Sequence, residues 1–229
     1  MKWTLWGQGP GKYAAGRVVF SFFGILLLGG LALSPLQAQT AYFSGAVTTL
    51  GGGFSLPRGV AVDGRGNVYV ADEVDQAVKE MPPGCASSSC VTTLGGGFRA
   101  PYGIAVDANG NVYTADSTTD RAYEIPAGCG SSSCVITLED TFGHPEGIAV
   151  DSQGNVYVAD YEDLVVDEIP SGCNSSSCAT RLGGGFHAVP GVAVDRSGNV
   201  YVADPYWNNW IKEMPPGCMR ECVCRRRRK

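Results

Sequence analysis

Gly59-Val60-Ala61-Val62-Asp63-Gly64-Arg65-Gly66-Asn67-Val68-Tyr69-Val70-Ala71-Asp72 decides the fold, because closely similar copies follow at intervals of 44 residues. The aspartates framing each copy are Asp63 and Asp72, Asp107 and Asp116, Asp151 and Asp160, Asp195 and Asp204. Two short runs rich in β-branched residues, separated by a glycine-rich spacer, predict a hairpin. Gly66 before Asn67 supplies the backbone freedom for its turn, and the Asp63 carboxylate is placed to bond neighbouring amides. A third strand is expected at Ala77 to Met81, stopped by Pro82-Pro83, since proline donates nothing to a ladder. The fourth is Val91 to Leu94, stopped by Gly95-Gly96-Gly97. Four antiparallel strands per unit and a period in the forties specify an all-β chain, a β-propeller of four blades. Val60, Val62, Val68 and Val70 are expected to pack between blades, with Tyr69 filling part of the seam.

Working outward, the repeats span about 47–90, 91–134, 135–178 and 179–222, inside a domain of residues 39–217. The chain reaches a fourth-type strand, Val47-Thr48-Thr49-Leu50, before any first strand, whereas the last unit has no recognisable fourth strand after Met214. Val47 to Leu50 is therefore expected either to close the ring on the last blade, abolishing two edges, or to leave the chain as a fragment of a larger propeller. An open arc also allows a homodimer. At Cys218-Met219-Arg220-Glu221-Cys222-Val223-Cys224 the repeat breaks into a Cys/Arg-rich tail, 218–229. That tail reads either as divergent, with Cys218 and Cys222 bridged, or as the end of a truncated chain.

Residues 1–38 form a different region: Lys2, Lys12 and Arg17 precede an uncharged apolar run of 16 residues, Val18 to Leu33. The run is shorter than the roughly 20 residues that span a bilayer. With Ser34-Pro35-Leu36-Gln37-Ala38 after it, it reads as a signal peptide cleaved after Ala38, the alternative being a retained anchor. The remaining chain carries 14 Lys+Arg against 22 Asp+Glu, a net charge of −8, and five of its basic residues sit in Arg225 to Lys229. An acidic body disfavours nucleic acid or an anionic membrane as its partner. Six of nine cysteines recur in phase as Cys85/Cys90, Cys129/Cys134 and Cys173/Cys178. Behind a secretory leader they predict three local disulfides in a periplasmic or extracellular compartment, rather than zinc ligands, since each pair belongs to a different blade.

The phased Pro-x-Gly-Val-Ala-Val-Asp-x-x-Gly-Asn-Val-Tyr-Val-Ala-Asp pattern resembles the NHL repeat over 176 residues, Val47 to Cys222. The resemblance implies a propeller, commonly of about six blades, used mainly as a binding platform in bacterial secreted proteins, receptor-kinase sensor domains and eukaryotic interaction proteins. The cysteine pair in each unit resembles a secreted bacterial variant.

Chain direction puts the Asp-x-x-Gly-Asn turns and serine-rich cysteine loops on one face. The variable links lie on the other, where recognition is expected. Candidate ligand-binding residues there are Tyr161, Glu162, Asp163, Tyr206, Trp207 and Asn208, the last three in a loop one residue longer than its counterparts. Aromatic residues supply large apolar contact area; Trp210, nearer the third strand, is expected to pack. The partner class is an unspecified protein, glycan or small molecule, with no cofactor. Asp72, Asp116, Asp160 and Asp204 read as turn braces before they read as a cation ring. His144 and His187, with Glu146 or Glu162, offer a weak acid–base site. Streptogramin lyases, which have a related fold and use histidine near a bound metal, make a metal-dependent lyase or hydrolase one alternative to a non-catalytic module, a truncated fragment with no independent function being the other.

Overall fold

The computed structural model describes residues 47–139, 141–173, 177–206 and 209–218. The leader, most of the Cys/Arg-rich tail, Trp207 and Asn208 lie outside them. The first sheet is β1 (Pro57–Val62), β2 (Val68–Asp72), β3 (Ala77–Met81) and β4 (Thr92–Leu94), hydrogen-bonded in that order. The second is β5 (Pro101–Val106), β6 (Val112–Asp116), β7 (Arg121–Ile125) and β8 (Ile136–Glu139). The third follows as β9 (Pro145–Val150), β10 (Val156–Asp160), β11 (Val165–Ile169) and β12 (Thr180–Leu182). The fourth has only β13 (Gly191–Val194), β14 (Val200–Asp204) and β15 (Trp210–Met214) among the described residues.

Every sheet is antiparallel and the register repeats: Val62 faces Val68, Val106 faces Val112, Val150 faces Val156 and Val194 faces Val200. The aspartate of the turn fixes that register. Asp63 accepts from the Arg65 and Asn67 amides at 2.9 and 2.8 Å, from Asn67 Nδ2 at 2.9 Å and from the Tyr69 hydroxyl at 3.3 Å. Burial works to raise the pKa of Asp63, but these bonds outweigh it and hold the carboxyl below its ordinary value. Asp107, Asp151 and Asp195 repeat the arrangement.

Neighbouring sheets pack face to face, β1 on β5, β5 on β9 and β9 on β13. Each seam takes the tyrosine and alanine of one blade's second strand and apolar residues from the next blade. Tyr113, Ala115, Ala122 and Leu138, for example, meet Ile148, Val156, Val158 and Ile169. Glycine at the third position of Pro-x-Gly lets inner strands approach: a Cβ on Gly103 would lie 2.3 Å from the Glu146 carbonyl oxygen, and one on Gly147 2.8 Å from the Gly191 Cα.

One packing expectation is met in three blades and not in the first. Ile104 and Ile148 are buried at 8% and 6% exposure, yet their counterpart Val60 is 68% exposed and Val62 60%. Among the described residues no blade precedes the first, and none of them covers those valines. At the other end, among the described residues, a Cβ on Gly191 would meet nothing within 4 Å, and Ile211 is 72% exposed. Closure of the last blade by Val47 to Leu50 is not made among the described residues. The three expected disulfides are present, Cys85–Cys90, Cys129–Cys134 and Cys173–Cys178. Cys218 is also disulfide-bonded.

Candidate functional site

The repeated Asp72, Asp116, Asp160 and Asp204 are essentially fully buried at the end of each second strand. Asp72 accepts the Ser55 and Leu56 amides at 3.0 and 2.8 Å, and Asp116 those of Arg99 and Ala100 at 2.6 and 3.0 Å. Asp160 takes Gly143 and His144 at 2.8 and 3.0 Å, and Asp204 takes His187 and Ala188 at 3.1 and 3.2 Å. Each carboxylate thus pins the link entering its own blade. In the end blades a lysine completes the arrangement: Lys79 Nζ lies 2.8 Å from Asp72, and Lys212 Nζ 2.7 Å from Asp204. Burial pushes both aspartates upward, but the amides and lysines win and depress their pKa. In the third blade the lysine position is Asp167, whose pKa is raised by burial despite Arg181 at 3.2 Å.

In the first three blades a second link ties the residue after the buried aspartate to the same entering segment. The Glu73 amide bonds Leu56 O at 3.1 Å, Ser117 bonds Ala100 O at 3.1 Å, and Tyr161 bonds His144 O at 3.0 Å. Pro205 has no N–H to make the fourth such bond.

These braces set a rim of side chains on the variable face. Glu146 occupies the middle position of Pro-x-Gly, where the other blades have Arg58, Tyr102 and Pro190. The Arg58 guanidinium pairs with Glu73 and sits 5.0 Å from the centre of the Tyr102 ring. Glu146 Oε1 is 3.7 Å from His144 Nε2. Burial raises the pKa of Glu146, against the pull of His144 and Arg58. The His144 ring stands edge-on to Tyr161 at 6.3 Å, and the Tyr161 and Tyr206 hydroxyls are hydrogen-bonded at 3.2 Å.

Of the residues expected from sequence, the structure brings together Tyr161 and Tyr206, joined by His144 and Glu146. It does not bring in Asp163, which pairs with Arg181 at 2.8 Å, and exposed Glu162 packs its Cβ beside Gly143. Trp207 and Asn208 lie outside the described residues. Trp210 starts β15 half-buried, with Lys212 Nζ 5.5 Å from its ring centre. His187 stays at its own brace, Nδ1 3.6 Å from Asp204. Sequence reasoning placed Glu73 in the variable links but missed Arg58 and Tyr102; the variable middle residue of Pro-x-Gly was the available signal.

On the constant face, adjacent turns line clefts such as that between Asp107, Tyr113, Glu124 and Asp151, about 280 Å³ in volume. Their aspartates are already saturated by turn amides. No group of three or more metal-ligating side chains occurs among the described residues, and no described helix is long and apolar enough to cross a membrane.

Residues 142–163 match the family profile for the NHL repeat. Comparison with curated proteins returned no match. Among solved structures, the chain is similar to Kuenenia stuttgartiensis hydrazine synthase, with TM-score 0.59 and 16% identity over 76% of this chain and 49% of that one. It is similar to a catalytically inactive virginiamycin B lyase from Staphylococcus aureus, solved with quinupristin, with TM-score 0.52 and 14% identity over 70% and 56% of the two chains. A chain of a nidogen/laminin complex aligns with TM-score 0.53 and 20% identity over 72% and 66%. This chain therefore spans about half to two thirds of the length of these neighbours.

Proposed function

Taking a β-propeller of NHL-type repeats as the premise, we propose that the protein is an exported, non-catalytic binding module. Its variable face engages a protein, glycan or small ligand. One observation carries this reading: the hydrogen-bonded pair Tyr161–Tyr206, bordered by His144, on the face whose links differ from blade to blade. Tyr206 is 52% exposed and presents its ring to solvent. Flat aromatic rings with a polar tip suit sugar faces and peptide side chains alike. Glu146 and Arg58, one charge of each sign, add direction to an approaching ligand.

Export is supported by three disulfides and by the composition of residues 1–38, read as a cleaved signal. The test is binding of the oxidised chain to arrays of glycans and of extracellular-matrix and envelope proteins, repeated with Tyr161→Ala and Tyr206→Ala. Each substitution is expected to weaken a captured ligand at least tenfold, about 1.4 kcal/mol, while leaving the melting temperature within a degree or two. Binding indifferent to both substitutions sinks the assignment of this rim.

A second reading rests on the His144–Glu146 contact at 3.7 Å and on the likeness to a lyase. Histidine beside a carboxylate has the elements of a general base. Turnover of a lactone and ester panel, with and without divalent metal, separates the readings: activity lost in His144→Ala establishes the enzyme, and none on any substrate favours the binding module.

A further inference from the structure

The middle position of Pro-x-Gly is Arg58, Tyr102, Glu146 and Pro190 in the four blades. Arg58 pairs with Glu73, and its guanidinium lies 5.0 Å from the centre of the Tyr102 ring. Glu146 has no comparable partner. Among the described residues its carboxylate accepts no hydrogen bond, and its one ion-pair contact, His144 Nε2 at 3.7 Å, is beyond hydrogen-bonding reach. That imidazole, moreover, carries a charge only when protonated. The Glu146 side chain is 15% exposed, so its acceptors are largely withdrawn from water, and a desolvated acceptor without a donor is costly.

The surroundings of this carboxylate narrow what would satisfy it. The His144 ring stands edge-on to Tyr161, whose hydroxyl is hydrogen-bonded to that of Tyr206 at 3.2 Å. The bond to Tyr206 raises the pKa of Tyr161, with a smaller push from the Glu146 charge, which places the carboxylate close to the phenols. Arg58 is near enough to pull on Glu146, but its own charge is offset by Glu73. With exposed Glu162 next to Tyr161, the rim sets three carboxylates against one guanidinium. A ligand placed here meets negative charge, unused acceptors, and phenol rings with hydroxyl tips.

We propose that the ligand of this rim is an amino sugar, its ammonium hydrogen-bonded to Glu146 and its ring set against Tyr161 and Tyr206. An ammonium brings donors and positive charge together, and charge-assisted bonds are the stronger kind. Aromatic rings with polar tips suit a sugar, which has an apolar face and a hydroxylated edge. A lysine side chain carries the same ammonium but no hydroxylated ring, so it uses only half of the arrangement. The inference rests on the reading of the rim as a binding surface and names the ligand class within it.

Calorimetry on the full oxidised chain tests it, with the disaccharide of glucosamine as probe in a buffer just acidic enough to keep its amines charged. Its N-acetylated counterpart and tri-lysine serve as comparisons. The amino disaccharide is expected to bind at least about tenfold more tightly than the acetylated one, the loss expected for a charge-assisted bond. Glu146→Gln is expected to bring the amino form down to the acetylated level, whereas Tyr206→Ala weakens both sugars alike. Glu146→Gln keeps the side-chain shape and removes an unbonded, largely buried charge, so its melting temperature is expected to be no lower than that of wild type. Equal binding of the two sugars overturns the proposal, as does a preference for the amine that persists in Glu146→Gln, or tri-lysine binding as tightly as the amino disaccharide. No binding of the amino disaccharide overturns this ligand class alone; the rim itself falls only where Tyr161→Ala and Tyr206→Ala leave a ligand captured from the arrays unaffected.

Discussion

Ile148 and Val60 hold the same position in the same repeat, yet one is sealed in a seam and the other stands in solvent. The difference lies in no property of either residue; it lies in whether a blade precedes. A blade is a four-stranded sheet with two apolar faces, and only stacking removes both from water. The interior blades therefore report what the repeat contributes when it is complete, and the end blades report what remains unsatisfied.

The largest expected effect breaks that comparison directly. Ile148→Ala should destabilise by about 4 kcal/mol, as deletion of a buried branched side chain leaves a cavity. Val60→Ala in the isolated monomer should stay within about 0.5 kcal/mol, the usual range for an exposed site. Denaturant melts of the two variants measure the contrast, and equal losses would mean that Val60 is packed in solution. Next comes the brace. Asp160→Ala strands the Gly143, His144 and Asp163 amides and should cost about 3 kcal/mol, since unsatisfied buried donors are expensive. It should also loosen the His144–Tyr161 edge contact, readable as a change in tyrosine fluorescence. Smaller again, replacing Cys129 and Cys134 together by serine opens a short loop and should cost about 2 kcal/mol.

Much of this architecture was legible because a 44-residue period writes the same hairpin, turn aspartate and cysteine loop four times. Strand ends fell where proline and glycine put them, with β3 closing at Met81 before Pro82-Pro83. Exposure of Val60 was not legible, since a repeat carries identical residues whether or not it has a neighbour. Half of the candidate rim was legible as variable loop residues. Its connectivity was not, because Tyr161 meets Tyr206 and Arg58 meets Tyr102 only after blades are laid side by side. The period holds that information too: Tyr102 follows Arg58 by one repeat, and Tyr206 follows Tyr161 by one repeat plus the extra loop residue. Residues one period apart on the same face are neighbours.

The smallest effect concerns charge, and it again sets end blades against an interior one. Asp72 and Asp204 have depressed pKa values in the folded protein. Their stabilisation is present above the unfolded aspartate value of about 3.9, and is lost as pH falls through the lower folded values. Asp167 runs the other way, its folded pKa being raised by burial. The folded state then binds more protons than the unfolded one between about 3.9 and that raised value, so this residue's contribution weakens as pH rises through the interval. Asp167→Asn should remove that component while leaving the acid limb set by Asp72 and Asp204 in place. Melting temperature followed from pH 7 downward is expected to show a steeper net loss in Asp167→Asn than in wild type across the mildly acidic range, because the opposing gain is gone. Identical profiles would mean that Arg181, rather than burial, governs Asp167, and that the interior blade neutralises its third strand as completely as the lysines do at the ends.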